Sequence, residues 1–121
     1  MGQNDILPLF DQWNDALKTD NPERVAALYA SDAVLLPTVS NQVRRNQEEI
    51  TDYFINFLAK NPSGKIDSAN VRTFGDLAIN SGVYTFTFND GETVRARYTF
   101  VYKWNGQDWK IIEHHSSAMP E

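Results

Sequence analysis

The spacing of apolar positions changes once along the chain, near residue 65. Before that point, apolar side chains recur three and four positions apart, which is typical of amphipathic helices. Asn21 is a suitable N-cap for the second of these segments, and Pro22 suits a first helical position. Pro37 ends a brief strand, because proline cannot donate to a strand ladder. The pattern predicts helices over about residues 5–19, 22–29 and 47–60, and a strand over about 32–36.

After residue 65 the apolar positions alternate, and the segments are rich in Val, Ile, Thr and aromatic residues. The turn sequences "NDG" and "NGQD" separate segments of this kind, as in β-hairpins. The predicted strands cover about residues 65–75, 78–89, 92–104 and 108–118. Helices followed by a strand meander indicate an α+β protein. We expect one domain over residues 1–121: a cone-shaped fold of three N-terminal helices packed on a strongly curved antiparallel sheet, with a cavity between them.

Composition narrows the possible functions. The chain has 121 residues and a net charge of −5, with basic residues scattered along it, which argues against nucleic-acid binding. It contains no cysteine, so its chemistry must use oxygen and nitrogen groups. No apolar run approaches the roughly 20 residues of a membrane span, and no secretory leader is visible. We therefore expect no membrane association and a cytoplasmic protein, or an organellar one if a transit peptide has been removed.

The last predicted strand, "DWKIIEHHSSA", carries the only two histidines. Strict alternation places Trp109, Ile111, Glu113, His115 and Ser117 on one face, and Lys110, Ile112, His114 and Ser116 on the other. The histidines then point in opposite directions, which argues against a shared metal ion, and we expect neither metal nor cofactor. In the simplest alternative, one histidine packs at a dimer surface and the other is hydrogen-bonded under the helices.

Four features of the sequence are candidates for a functional site in the cavity. Each histidine is followed two residues later by a serine on its own face, a polar cluster where a core strand is normally apolar. Thr38 follows Pro37 at the mouth of the predicted cone, although it could be an ordinary turn residue. Tyr53 lies on the apolar face of the third helix, where it could equally be a core residue. Arg97 alternates with apolar neighbours on a strand, a pattern also typical of a solvated sheet face.

The order of elements and the ending "DWKIIEHHSS" resemble the nuclear transport factor 2-like superfamily. Within it, the whole chain resembles the group related to the association (hub) domain of calcium/calmodulin-dependent protein kinase II. A narrower resemblance rests on "VLLPTVSN", "ITDYF", "GVYTFTF", "ARYTFVYKW" and "IIEHHSSAMP". These segments together are similar to the iota-class carbonic anhydrases of cyanobacteria and algae.

The iota-class resemblance implies the reversible hydration of carbon dioxide to bicarbonate by a homodimer that works without a metal. It implies catalytic roles for Thr38, Tyr53, His114 and Ser116. His115, Ser117 and Arg97 are weaker candidates for substrate binding. The pair His114 and Ser116 is preferred to His115 and Ser117 by comparison with the kinase hub domain, and one β-bulge would reverse that preference.

In this interpretation, hydroxyl groups hold bicarbonate or orient water, and His114 relays the proton because its reference pKa lies near 6.5. The homodimer would form through the outer face of the sheet. Two alternatives remain open. One is another cavity enzyme, an isomerase or cyclase acting on a small apolar substrate with an Asp or Glu base, for which Glu113 is the nearest candidate. The other is a non-catalytic oligomerisation hub.

Overall fold

The computed structural model describes residues 3–38 and 40–120; positions 1, 2, 39 and 121 of the predicted domain lie outside the described residues. Three helices are α1 (Gln3–Lys18), α2 (Pro22–Ala26) and α3 (Gln47–Leu58). Five strands are β1 (Tyr29–Leu36), β2 (Ser63–Phe74), β3 (Leu77–Thr87), β4 (Thr93–Trp104) and β5 (Trp109–Ala118). The predicted α+β fold class is confirmed. No helix among the described residues is long and apolar enough to cross a membrane.

The five strands form one sheet in the order β1-β5-β4-β3-β2. Strands β2 to β5 are an antiparallel meander, and β1 joins the edge of β5 in parallel. Register shifts interrupt the β2–β3 and β4–β5 ladders, and such bulges bend a sheet. The resulting curvature gives the sheet a concave face, and α1 and α3 pack against it.

The apolar stripe of α1 fills much of the space under the sheet. Ile6, Phe10, Trp13 and Leu17 are all buried, and they follow the spacing of three and four that predicts this helix. Ile50, Phe54 and Leu58 form the corresponding buried stripe of α3. The core therefore lies between the helices and the concave face, and one side of it remains open as a cavity.

The segment between α2 and β1 differs from the prediction. The helix predicted over 22–29 ends at Ala26, and the strand predicted over 32–36 begins at Tyr29. The backbone carbonyl of Leu28 accepts a hydrogen bond from the Ile111 amide (2.9 Å), and the side chain of Gln47 donates to the Tyr29 carbonyl (2.9 Å). Contacts with β5 and α3, which helical periodicity does not report, thus redirect this segment into the sheet.

A bulge in β5 changes the predicted faces of that strand. Tyr102 pairs with Ile111 and Val101 pairs with Glu113, so Ile112 is an extra residue in β5. As a result, Ile111 is buried on the same side of the sheet as His114 and Ser116, whereas strict alternation predicts opposite faces. Alternation holds from Glu113 onward, which is the part that carries both histidines.

Candidate functional site

A cavity of about 400 Å³ opens between the concave face of the sheet and the helices. Its inner wall includes the buried side chains of Trp13, Tyr84, His114 and Ser116. Much of the rest of the wall is apolar and aromatic, with Leu35, Pro37, Phe54, Phe57, Phe86 and Ala96. Lys60, Asn89, Asp90 and Glu92 line the cavity and are exposed, so they mark its mouth.

The polar groups of the inner wall form one connected chain of hydrogen bonds. The ring of His114 lies between two tyrosines, with Nδ1 2.8 Å from the Tyr29 hydroxyl and Nε2 3.3 Å from the Tyr84 hydroxyl. Tyr84 donates to Oγ of Ser116 (2.7 Å), and Ser116 lies 2.5 Å from Oγ1 of Thr38. At the other end, Nε1 of Trp13 donates to the Tyr29 hydroxyl (3.1 Å).

Aromatic packing fixes the plane of the His114 ring. The ring stacks on Phe100, with centroids 4.0 Å apart and an interplanar angle of 18°. The indole of Trp13 meets it edge-on at 5.5 Å and 88°. Both ring nitrogens are therefore held toward their tyrosine partners.

The environment of His114 keeps its imidazole neutral. Burial, together with a smaller effect of the nearby His115, lowers the pKa of His114 to about 3. The expectation that His114 relays a proton by changing between its neutral and charged forms near neutral pH is therefore corrected. The side chain instead acts as a fixed, neutral hydrogen-bonding group between two tyrosines.

Tyr53 lines the cavity from α3 and is not a member of the hydrogen-bonded chain described above. Its ring is half-buried, stacks on Phe57 (5.7 Å, 22°) and lies 5.7 Å from the guanidinium of Arg44. Burial raises the pKa of Tyr53 to about 12, against the opposing effect of the Arg44 charge. The phenol therefore keeps its proton at neutral pH and can donate a hydrogen bond.

The segment that follows β1 positions Thr38. Pro37 is buried, and Leu35 and Arg44 exchange two backbone hydrogen bonds (2.8 and 2.9 Å) that close the segment between them. The Arg44 side chain then reaches α3, where it bonds the carboxylate of Asp52 (3.0 Å). Thr38 is thereby held against Ser116, on the strand that pairs with β1.

The residues assigned weaker substrate-binding roles lie outside the cavity. His115 and Arg97 are exposed, and Arg97 pairs with Ser117 across the β4–β5 ladder. Each alternates with residues that face the cavity or core, so the sheet itself separates these three side chains from the cavity. Glu113 is also exposed on the outer face, which removes it as a candidate base in the cavity.

Among residues 3–38 and 40–120, no three His, Asp or Glu side chains are grouped closely enough to hold a metal ion.

Sequence reasoning missed three members of the hydrogen-bonded chain, Trp13, Tyr29 and Tyr84. The alternation of "GVYTFTF" places Tyr84 on the same face as Phe86, and this signal could have identified it as a cavity residue. The helical spacing indicates only that Trp13 is an apolar position of the first helix, and it gives no sign of the bond that the indole N–H makes. Tyr29 was missed because residues 22–29 were predicted to be helical. Its contact with His114 depends on the pairing of β1 with β5.

The strongly curved five-stranded sheet, with helices enclosing a cavity, has the fold of solved structures described as cystatin-like or nuclear transport factor 2-like. A family model for the calcium/calmodulin dependent protein kinase II association domain matches residues 2–120. The chain belongs to that family.

One solved structure agrees with the family, and others agree with the fold. A protein from Xanthomonas campestris, assigned to the calcium/calmodulin dependent protein kinase II association domain, is 52% identical over 100% of this chain and 90% of its own, with a TM-score of 0.95. A nuclear transport factor 2-like protein of unknown function from Pseudomonas putida KT2440 is 21% identical over 98% of this chain and 87% of its own, with a TM-score of 0.85.

A protein from Streptomyces avermitilis, assigned as a dehydratase of the nuclear transport factor 2-like family, is 14% identical over 99% of this chain and 100% of its own, with a TM-score of 0.80. At this identity the likeness concerns the fold alone. No curated protein matches the chain.

Proposed function

We propose that the protein is a carbonic anhydrase that hydrates carbon dioxide reversibly to bicarbonate in this cavity. The observation that carries the proposal is a connected group of hydroxyls, Tyr84, Ser116 and Thr38, at the wall of a largely apolar cavity. An apolar wall suits a nonpolar substrate, and the hydroxyls lie where charge would develop. The similarity of several segments to iota-class carbonic anhydrases supports the same activity.

The proposed reaction is the addition of water to the carbon of carbon dioxide. A bond forms between the water oxygen and the carbon, one carbon–oxygen π bond opens, and negative charge grows on the carbon dioxide oxygens. Hydroxyl donors from the Ser116–Thr38 pair and from Tyr53 would stabilise that charge more strongly in the transition state than in the ground state. The proton of the attacking water passes to solvent at the cavity mouth, and bicarbonate leaves by the same opening.

His114 has a positioning role in this scheme. Since its imidazole stays neutral, it orients the Tyr84 hydroxyl, which in turn bonds Ser116. The homodimer through the outer sheet face remains part of the proposal. It is supported by the exposed side chains of Phe74 (57%) and Leu77 (37%) at the β2–β3 end of that face.

The deciding experiment is a stopped-flow assay of carbon dioxide hydration with chelator-treated protein and a pH indicator. We expect activity above buffer, and a loss of about 10²-fold or more in kcat for Ser116→Ala, the usual size for removing one transition-state donor. Tyr53→Phe should also lower kcat. Ser117→Ala, the matched serine on the outer face, should keep full activity. A chelator-treated protein no faster than buffer, or a fully active Ser116→Ala variant, would contradict the proposal.

The size of the cavity favours a second candidate. About 400 Å³ exceeds what a triatomic substrate needs and falls in the range of pockets that bind larger organic ligands. An isomerase or dehydratase acting on a small apolar substrate would need a carboxylate base. Within the cavity lining only Asp90 and Glu92 supply one, and both lie at the mouth. The Glu92→Gln or Asp90→Asn variant should therefore lose isomerase or dehydratase activity. The same variants should keep their carbon dioxide hydration activity.

The third candidate is the non-catalytic hub suggested by the association domain of the family name. Sedimentation velocity separates it from the proposed dimer, because a ring assembly has a much larger mass. A Phe74→Glu variant should dissociate a dimer formed through the outer face and leave the cavity intact. A wild-type monomer would contradict association through that face.

A further inference from the structure

We propose that the hydrogen-bond chain from Trp13 to Thr38 runs in a single direction and leaves a donor hydrogen facing the cavity, so the site binds hydrogen-bond acceptors, such as carbonyl or carboxyl oxygens. The inference rests on the cavity being the functional site, as proposed above. It extends that proposal to the class of ligand and assigns positioning roles to Trp13 and Tyr29.

The direction is set at the buried end of the chain. An indole N–H can only donate, so the Tyr29 hydroxyl accepts from Trp13 (3.1 Å). Tyr29 has one hydrogen of its own, and the Nδ1 atom of His114 lies 2.8 Å from its oxygen. Since Tyr29 is only 2% exposed, solvent does not take that hydrogen. Tyr29 therefore donates to Nδ1.

The alternative tautomer of His114 fits this end poorly. With a hydrogen on Nδ1, Tyr29 would accept from both Trp13 and His114. Its own hydrogen would then be buried without an acceptor among the described side chains, which is costly. The neutral imidazole is therefore protonated on Nε2 and donates to the Tyr84 hydroxyl (3.3 Å).

The cavity end follows from counting hydrogens. Tyr84 accepts from His114 and donates to Ser116 (2.7 Å). Ser116 and Thr38 then share one bond but own two hydrogens, so one of the two is left over, whichever hydroxyl donates to the other. Both residues line the cavity, and the spare hydrogen is available to a ligand.

The opposite direction would present opposite chemistry. If Tyr84 donated to Nε2, Ser116 would donate to Tyr84 and Thr38 to Ser116. All the hydroxyl hydrogens would then be used, and the cavity would meet only oxygen lone pairs. Trp13 and Tyr29, whose polar groups bond within the chain, thus decide whether the Ser116 and Thr38 hydroxyls donate to the ligand or accept from it.

The first test measures the tautomer directly by ¹⁵N nuclear magnetic resonance of the histidine side chains at neutral pH. The chain has two histidines, so a His115→Gln variant assigns the signals. We expect Nδ1 of His114 to show the shift of an unprotonated nitrogen and Nε2 that of a protonated one. Tyr29→Phe should move both shifts toward averaged values. A wild-type His114 protonated on Nδ1 would overturn the proposal. This measurement uses the wild-type protein, so it does not depend on the folding of any variant.

The second test compares two aromatic rings of similar size, pyridine, which only accepts, and pyrrole, which only donates. Binding is followed at pH 8 through the indole N–H resonance of Trp13, with Ser117→Ala as the matched control. We expect pyridine to bind about tenfold more tightly, the worth of one hydrogen bond, and a Ser116→Ala, Thr38→Val double variant to lose the preference. Equal binding, tighter pyrrole binding, or no pyridine binding would overturn the proposal.

The two proposals can fail separately. If the tautomer and the acceptor preference are as expected but carbon dioxide is not hydrated, the ligand class stands and the carbonic anhydrase assignment falls. If hydration is catalysed but His114 is protonated on Nδ1, the activity stands and the direction of the chain is wrong.

Discussion

At the scale of single residues, His114 illustrates how a titratable side chain is kept neutral. Its ring is 3% exposed, stacked on Phe100 and bonded at both nitrogens to tyrosine hydroxyls. Charging it would place a cation among aromatic rings with no carboxylate among its hydrogen-bond partners. The group is therefore suited to orienting other groups and unsuited to exchanging protons near pH 7.

This neutrality predicts a specific loss of stability in acid. The folded-state pKa of His114, about 3, lies below the unfolded value near 6.5, so the unfolded chain binds an extra proton between these limits. The contribution of His114 to the free energy of unfolding should be constant above pH 6.5. It should fall by up to about 1.4 kcal/mol per pH unit as the pH is lowered toward 3, or about 2 kcal/mol between pH 6.5 and 5.

Urea unfolding at several pH values measures this contribution. The free energy of unfolding should change less steeply with pH in His114→Gln than in the wild type, whatever the absolute stability of the variant. His115→Gln removes the adjacent exposed imidazole and should leave most of the slope in place. Equal slopes for the wild type and His114→Gln would show that His114 is protonated in the folded state.

Single residues were only partly predictable from the sequence. His114, Ser116, Thr38 and Tyr53 all line the cavity, as their positions on the last strand, the loop after β1 and the third helix suggest. The partners that set the hydrogen-bond direction were not predictable, because Tyr29 is 85 positions away from His114. Only the pairing of β1 with β5 brings these two residues together.

At the scale of the secondary-structure elements, the bulges determine which side chains reach the cavity. The extra residue Ile112 allows Ile111 and His114 to share one face of β5. The β2–β3 ladder contains a similar shift between Ile66 and Ser68. In β5, a period-two pattern cannot locate the insertion, because Ile111 and Ile112 are both apolar. The strand was therefore predictable, whereas the faces of its residues were predictable only on one side of the bulge.

The irregularity in β2 predicts that Gly82 does not tolerate a side chain. Gly82 pairs with Ala69, which follows the register shift between Ile66 and Ser68. A Cβ atom at Gly82 would lie 1.9 Å from the carbonyl oxygen of Ser68, which is backbone and cannot rotate away. Gly82→Ala should therefore destabilise the protein by at least about 1–3 kcal/mol, the usual cost of adding atoms to a packed region. Chemical unfolding measures the loss, and Ser81→Ala, at the neighbouring position, should change stability far less. A Gly82→Ala variant of wild-type stability would mean that the strands separate here at little cost.

At the scale of the whole molecule, the fold gathers all five tyrosines on the inner side of the sheet and helices. Four of them are nearly inaccessible, and Tyr53 is half-buried in the cavity wall. Burial raises the pKa of every one, to about 12 for Tyr53 and Tyr98, and well above the ordinary value for Tyr29, Tyr84 and Tyr102. The same apolar surroundings that enclose the cavity thus hold the phenols protonated.

The enclosure predicts that the fold is lost in alkali through tyrosine ionisation. In the unfolded chain tyrosine ionises near pH 10, whereas in the folded protein it stays protonated, so stability is fully present below pH 10 and falls as the pH rises above it. Each buried tyrosine contributes up to about 1.4 kcal/mol per pH unit, and several act together. Tyrosinate absorbance should therefore rise in one cooperative step that coincides with the loss of circular dichroism. A gradual rise near pH 10 in a protein that remains folded would show that the phenols are accessible to solvent and that the cavity is wet.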